Sequence, residues 1–282
     1  MNAIIPTTRP SPEQARPMPD ARLDIEHVSV QFRIRRGWRR MPVSAVQECC
    51  LTLPRGGTLA LIGESGSGKT TLSNAILGLV PISSGRIRFG GQALCDAGAG
   101  PARARRQPGI QMVMQDPLSS FNPRYRLRDS LAIPLRLQGR LDAEARRERL
   151  ESLARRVGVA AGLLDKYPHQ LSGGQLQRLS IARAISVEPR LIIADEPASK
   201  LDVSVRAQVL NLLKEVIGEA SMSLLLITHD LDVARYLCSE VAVMHFGKIL
   251  ETGPTGHVFG QPSHPYTRAL LAGSRQPAGA AA

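Results

Sequence analysis

An α/β domain built on a mainly parallel sheet is the fold the sequence predicts, and three observations predict it. Short apolar strands alternate with amphipathic helical stretches through most of the 282 residues. A glycine-rich turn joins one of those strands directly to a helix, as a βα unit requires. Residues 117–170 break the alternation with proline-rich turns and then a helical pattern, which reads as a small helical subdomain inserted into the core.

The elements follow in order. Residues 1–21 are rich in proline and polar residues without the apolar centre of a signal peptide; they read as a disordered tail, and the lack of a leader points to the cytoplasm. From Leu23 to Val30 apolar and polar residues alternate, so a strand is expected there, with residues 35–42 as a loop. Residues 58–62 predict a short buried strand and residues 69–79 a helix. A second helix is expected near 142–157, because Leu150, Leu153, Ala154 and Val157 share one face. Residues 191–194 and 223–228 read as buried core strands. Between them Val205, Val209, Leu212, Leu213 and Val216 mark an amphipathic helix. The folded domain should span 22–272, ending before a low-complexity, frayed tail at 273–282.

Composition narrows the class. Hydrophobic residues make up 43%, enough for a sizeable core, yet no uninterrupted apolar run reaches the ~18 residues of a membrane span. Cys49, Cys50, Cys95 and Cys238 form no CxxC pair and read as reduced, mostly buried thiols. The net charge of +12 gathers in two arginine clusters, Arg33, Arg35, Arg36, Arg39 and Arg40, and Arg103, Arg105 and Arg106. Nucleic acid and anionic lipid headgroups both suit such a surface, which otherwise reads as a solvated basic face.

Four motifs carry chemistry. In Gly63-Glu64-Ser65-Gly66-Ser67-Gly68-Lys69-Thr70 the glycines let the backbone curl and turn its amides toward an anion at a helix N-terminus. Lys69 is expected to reach the β- and γ-phosphates and the Thr70 hydroxyl to ligate Mg²⁺, with Thr71 completing the cradle. Asp195 ends an apolar strand, where its carboxylate can hold Mg²⁺ through water; Glu196 beside it is the natural base for a water attacking the γ-phosphate. His229 follows the strand at 223–228. Leu171-Ser172-Gly173-Gly174-Gln175 opens another helix, which Ser172 should cap while leaving amides free for an anion.

These four motifs in this order resemble the ATP-binding cassette (ABC) ATPases, over roughly residues 23–270. The resemblance implies an α/β P-loop NTPase core of ABC type with a mainly parallel sheet, an N-terminal antiparallel β subdomain and an α-helical subdomain inserted at about 117–185. ATP and Mg²⁺ are the implied cofactors. In that family a glutamine at the position of Gln115 touches Mg²⁺ and the attacking water, and a histidine at the position of His229 bonds the γ-phosphate. Ser172, Gly173, Gly174 and Gln175 would meet the ATP held by a second ATPase subunit, in a homodimer or heterodimer. Phe32 either stacks on adenine, as a family aromatic does, or is a core residue. One departure stands out: Lys200 occupies a site where a small residue is usual. It could bind phosphate, repel the partner's phosphate-loop lysine or point outward.

Two further stretches resemble the peptide/nickel importer group: residues 115–124, from Gln115-Asp116-Pro117 to Pro123-Arg124, and residues 264–271, beginning His264-Pro265-Tyr266. Members work beneath two transmembrane permeases fed by a periplasmic or surface binding protein, on the cytoplasmic face of the inner membrane. No specific nucleic acid is expected, although a soluble cassette acting on DNA or ribosomes and an accessory cassette protein of phosphonate metabolism are the competing functions. Residues 117–135 form either the permease dock, with Phe121, Tyr125 and Leu127 as anchors, or simply the subdomain core. The histidines and tyrosine of the last motif read as packing residues. No iron–sulfur cluster is expected, since no cysteine follows that motif.

Overall fold

The uninterrupted apolar strands are explained by two cores on opposite faces of one sheet. The computed structural model describes residues 21–36, 39–97, 109–219 and 222–274. Its central sheet has six strands in the order β10-β9-β3-β8-β7-β6. They are β3 (Thr58–Ile62), β6 (Ile110–Val113), β7 (Leu191–Asp195), β8 (Ser223–Thr228), β9 (Glu240–His245) and β10 (Lys248–Pro254). All neighbours are parallel except β9 and β10. Along each central strand successive side chains enter opposite cores. Leu59, Leu61, Ile193, Leu225 and Ile227 join the N-terminal core. Ala60, Ile62, Ile192, Leu224 and Leu226 join the core under the helices.

The N-terminal core lies against a second sheet of four antiparallel strands, in the order β2-β1-β4-β5. They are β1 (Leu23–Arg36), β2 (Arg39–Leu53), β4 (Ser84–Phe89) and β5 (Gln92–Asp96), and α1 (Lys69–Ile76) packs in the same core. Two expectations are corrected here. Residues 35–36 and 39–42 are strand rather than loop: pairing runs on through Ile34 with Met41, Arg35 with Arg40 and Arg36 with Arg39. Arginine content alone does not break a strand whose neighbour offers a continuous antiparallel register. The helix expected over 69–79 ends at Ile76, because Gly78 adopts a left-handed conformation (φ 70°) and turns the chain. Arg103, Arg105 and Arg106, the side chains of Arg35, Arg36, Arg39 and Arg40, and the tails at 1–20 and 275–282 lie outside the described residues.

Between β6 and β7 the chain forms α2 (Leu127–Gln138), α3 (Ala143–Arg156) and α4 (Gly173–Ile185) with three short 3₁₀ turns. Asp142 caps α3 by accepting from the Ala145 N–H, and Leu150, Leu153, Ala154 and Val157 are buried as their spacing predicts. Phe121 and Leu127 are also buried here, with the Arg183 guanidinium 5.0 Å from the centre of the Phe121 ring, so of the three expected docking anchors only Tyr125 is exposed. The helices α5 (Val203–Glu219), α6 (Leu231–Leu237), α7 (Thr255–Gly260) and α8 (Pro265–Ser274) complete the fold. Among the described residues no helix is long and apolar enough to cross a membrane. Cys49, Cys95 and Cys238 are buried free thiols and Cys50 is exposed; burial pushes the Cys49 thiol up to about 12.

Candidate nucleotide and hydrolysis site

The loop at 63–70 leaves β3 and enters α1, and its shape depends on glycine at two close approaches. A Cβ on Gly63 (φ +153°) would lie 2.1 Å from the Met244 carbonyl oxygen, and one on Gly68 (φ +107°) 2.3 Å from that of Ala45. Within the loop the Ser67 N–H donates to the Glu64 carbonyl at 3.2 Å. Glu64, Ser65 and Gly66 are exposed at its crest, and Thr71 follows Thr70 in the first turn of α1. Lys69 is 7% exposed; its ammonium donates to the carbonyls of Gly63 and Glu64, each at 2.8 Å. Burial lowers its pKa, against the pull of Glu196, Asp195 and Glu64. No acidic residue occupies the first turn of α1, so its N-terminal amides keep their positive potential.

Two acidic residues at the end of β7 diverge. Asp195 stays in line with the strand and accepts from the Thr70 hydroxyl at 3.2 Å. Glu196 turns into the left-handed region (φ 45°), with its N–H donated to the Ile227 carbonyl at 2.8 Å. This conformation is strained for a non-glycine residue. It aims the Glu196 carboxylate at two other elements: Oε2 accepts from the Gln115 amide at 2.6 Å, and Oε1 lies 2.6 Å from His229 Nδ1. Gln115, Glu196 and His229, far apart in the chain, therefore form one cluster. Asp230 completes its frame by capping α6 through the Asp232 and Val233 amides and pairing with Arg206.

Burial raises the Asp195 pKa, as does nearby Glu196, while the Thr70 hydroxyl and Lys69 oppose the rise. A folded-state pKa above the unfolded value means that stability falls as pH climbs from the unfolded to the folded value. At neutral pH the charged carboxylate thus weighs on the empty fold. Asp195→Asn is expected to raise the Tm of metal- and nucleotide-free protein by about 1–3 °C while lowering hydrolysis. Calorimetry in chelator checks this, and a Tm at or below wild type would contradict it.

The Thr70 hydroxyl and Asp195 carboxylate offer adjacent oxygen donors of the kind Mg²⁺ prefers. Among the described residues no group of three or more His, Cys, Asp or Glu could cage a metal.

The N-terminal end of α4 stands apart from this cluster. Ser172 and Gln175 form a reciprocal capping box on α4: Ser172 Oγ accepts from the Gln175 N–H at 3.3 Å and Gln175 Oε1 from the Ser172 N–H at 3.0 Å. Ser172 and Gly173 are exposed, and Gly174 is buried against Val205 of α5. Among the described residues no hydrogen bond joins 171–175 to the loop at 63–70. Phe32 is 39% exposed on β1 opposite Val43, which removes the core-residue reading. Lys200 is exposed in the turn after Glu196.

The ABC transporter family profile matches residues 46–199. The oligopeptide transport ATP-binding protein OppF of Escherichia coli is 43% identical over 88% of this chain and 76% of its own length. The chain is an ABC transporter ATPase. The dipeptide transport ATP-binding protein DppF of Haemophilus influenzae is 42% identical over 81% of the chain and 70% of its own length. Among solved structures, the cassette MJ0796, in a dimeric post-hydrolysis state bound to ADP and Pi, matches with a TM-score of 0.73 and 26% identity over 83% of this chain and 98% of that one. CbiO1 from Clostridium perfringens, part of the transporter complex cbiONQ, gives 0.70 and 28% over 86% and 92%. This ATPase accordingly binds and hydrolyses ATP on a P-loop ABC-type α/β core.

Sequence reasoning missed Tyr266 at this site. It was read as packing, and it does stack on His245; its hydroxyl also accepts from the Glu64 N–H at 3.4 Å. Its motif was the available signal, but nothing local in it says which loop the ring will face.

Proposed function

We propose that this ATPase is the energising subunit of a bacterial peptide importer, working with two membrane permeases and a second ATPase subunit on the cytoplasmic face of the inner membrane. The observation that carries the hydrolytic part is the Glu196 carboxylate held between Gln115 and His229. In this reading the amides of 63–70 and Lys69 grip the phosphates, and Phe32 meets the adenine. Glu196 takes a proton from a water as its oxygen attacks the γ-phosphorus and the bond to the β-phosphate oxygen breaks, giving ADP and phosphate. Gln115 orients that water, and His229 turns from Glu196 to the γ-phosphate. Thr70 and Asp195, with Gln115, would hold Mg²⁺, which when bound neutralises charge on the phosphate oxygens.

The exposed Ser172–Gly173 end of α4 would close on the ATP of the partner subunit, so two nucleotides are sandwiched and hydrolysis separates the pair. The helical segment at about 117–185 acts as the subdomain that meets the permeases, and exposed Leu118 and Tyr125 supply its apolar contact. Peptide as cargo follows from the oligopeptide and dipeptide names of the relatives. The transported molecule itself is selected by the permeases and a binding protein outside the membrane. Gentle purification of the tagged chain from its native membranes, with mass spectrometry, tests the whole assignment. Two polytopic permeases and a second ATPase are expected; ribosomal or DNA-repair proteins without a permease would overturn it.

A further inference from the structure

The C-terminal helix reaches the phosphate loop, about two hundred residues away in the chain, through the Tyr266 side chain. Glu251 on β10 accepts from the Ser263 N–H at 2.7 Å and the His264 N–H at 3.0 Å, fixing the approach to α8. Burial alone would raise the Glu251 pKa, but the nearby Thr267 hydroxyl and the Ser263 and His264 amides hold it below the usual carboxylate value. His264 Nδ1 then accepts from the Tyr266 N–H at 3.1 Å. So held, the Tyr266 ring stacks on His245 at 3.8 Å between centroids, and its hydroxyl accepts from the Glu64 N–H at 3.4 Å. His245 is also 4.1 Å from the ring of Phe246, and the N–H of the next residue, Gly247, donates to the Ser67 carbonyl at 2.8 Å. Residues 64 and 67 are thus both tethered, one by α8 and the other by the β9–β10 turn.

We propose that Tyr266 is a positioning residue for the nucleotide, acting through Glu64 to hold the phosphate loop in its receptive shape. The inference rests on the reading of residues 63–70 as the phosphate cradle of ATP. A loop with glycine at 63, 66 and 68 can curl around phosphate, but the same freedom must be surrendered when a ligand orders it. A bond at Glu64 surrenders part of that freedom beforehand. Burial raises the Tyr266 pKa, with Glu64 acting both ways on it, so the phenol keeps its proton at neutral pH while its oxygen accepts. Because Tyr266 acts on the loop and not on the γ-phosphate, ATP and ADP depend on it alike.

Tyr266→Phe deletes the acceptor and keeps the ring and its stack. In the full chain the Kd for both ATP and ADP, read by displacement of a fluorescent nucleotide, is expected to rise about three- to tenfold, as for one lost hydrogen bond. The Tm of nucleotide-free protein should stay at the wild-type value, and saturated turnover should change far less than KM. Glu251→Ala should weaken binding in the same direction, and adding Tyr266→Phe to it should cost little more, since both act on one contact. Wild-type affinity for both nucleotides in Tyr266→Phe, a loss confined to ATP, or a fall in Tm that matches the loss of binding would each overturn the proposal. Lys69→Ala separates the two readings. If nucleotide binding survives that change, it is the assignment of the phosphate loop that fails.

Discussion

Glu196→Gln is expected to lower ATP turnover by about 10²–10⁴-fold, the range for loss of a general base, while leaving ATP binding intact. The substitution keeps the size of the side chain and can keep one of its two bonds, because the amide oxygen can still accept from Gln115. What it removes is the ability to take a proton from water. The strained backbone at Glu196 (φ 45°) and its amide bond to Ile227 do not depend on the side chain, so the fold should be unaffected. With ATP bound and unhydrolysed, the variant should accumulate as a closed dimer, visible as a doubled mass in size-exclusion chromatography with light scattering. Near-normal turnover would move the role of base to another residue.

The second large effect is expected at the start of α4. A Cβ on Gly174 would lie 2.2 Å from Val205 Cγ1, far inside any real contact. Gly174→Ala therefore has to push α4 away from α5 just where Ser172 and Gly173 present their face. Overpacking of this kind costs about 1–3 kcal/mol, and a shift near 1 Å at a reacting centre can cost about 10²-fold in rate. We expect turnover of the assembled complex to fall by about that factor while the isolated subunit still binds ATP. Val205→Ala removes the obstructing methyl groups, so the double variant should recover most of the activity. If it does not, or if the single variant already loses initial nucleotide binding, the helix end acts within its own subunit and not across a pair.

The strands of the central sheet were legible because apolar runs with glycine or acidic punctuation at their ends have few other readings. The loop at 63–70, Asp195, Glu196 and His229 were legible for the same reason: each stands at a strand end, and strand ends of a parallel sheet gather on one edge. The strand pairing at 35–36 and 39–42 was not, since it is decided by the partner strand and the four arginines among these six residues mimic a solvated loop. For Phe121 and Leu127 the sequence left both readings open, permease anchor and subdomain core, and the structure buries both side chains. Tyr266 was out of reach for a related reason, as its stacking partner His245 and its bonded amide at Glu64 lie on different elements, set together only by the closed fold.

The Glu196 carboxylate is engaged at both oxygens, by Gln115 and by His229. Each oxygen keeps a further lone pair. The two partners follow β6 and β8 while Glu196 itself follows β7, so the aim of the carboxylate is set jointly by three neighbouring strands, and a shift of any one of them would re-point it.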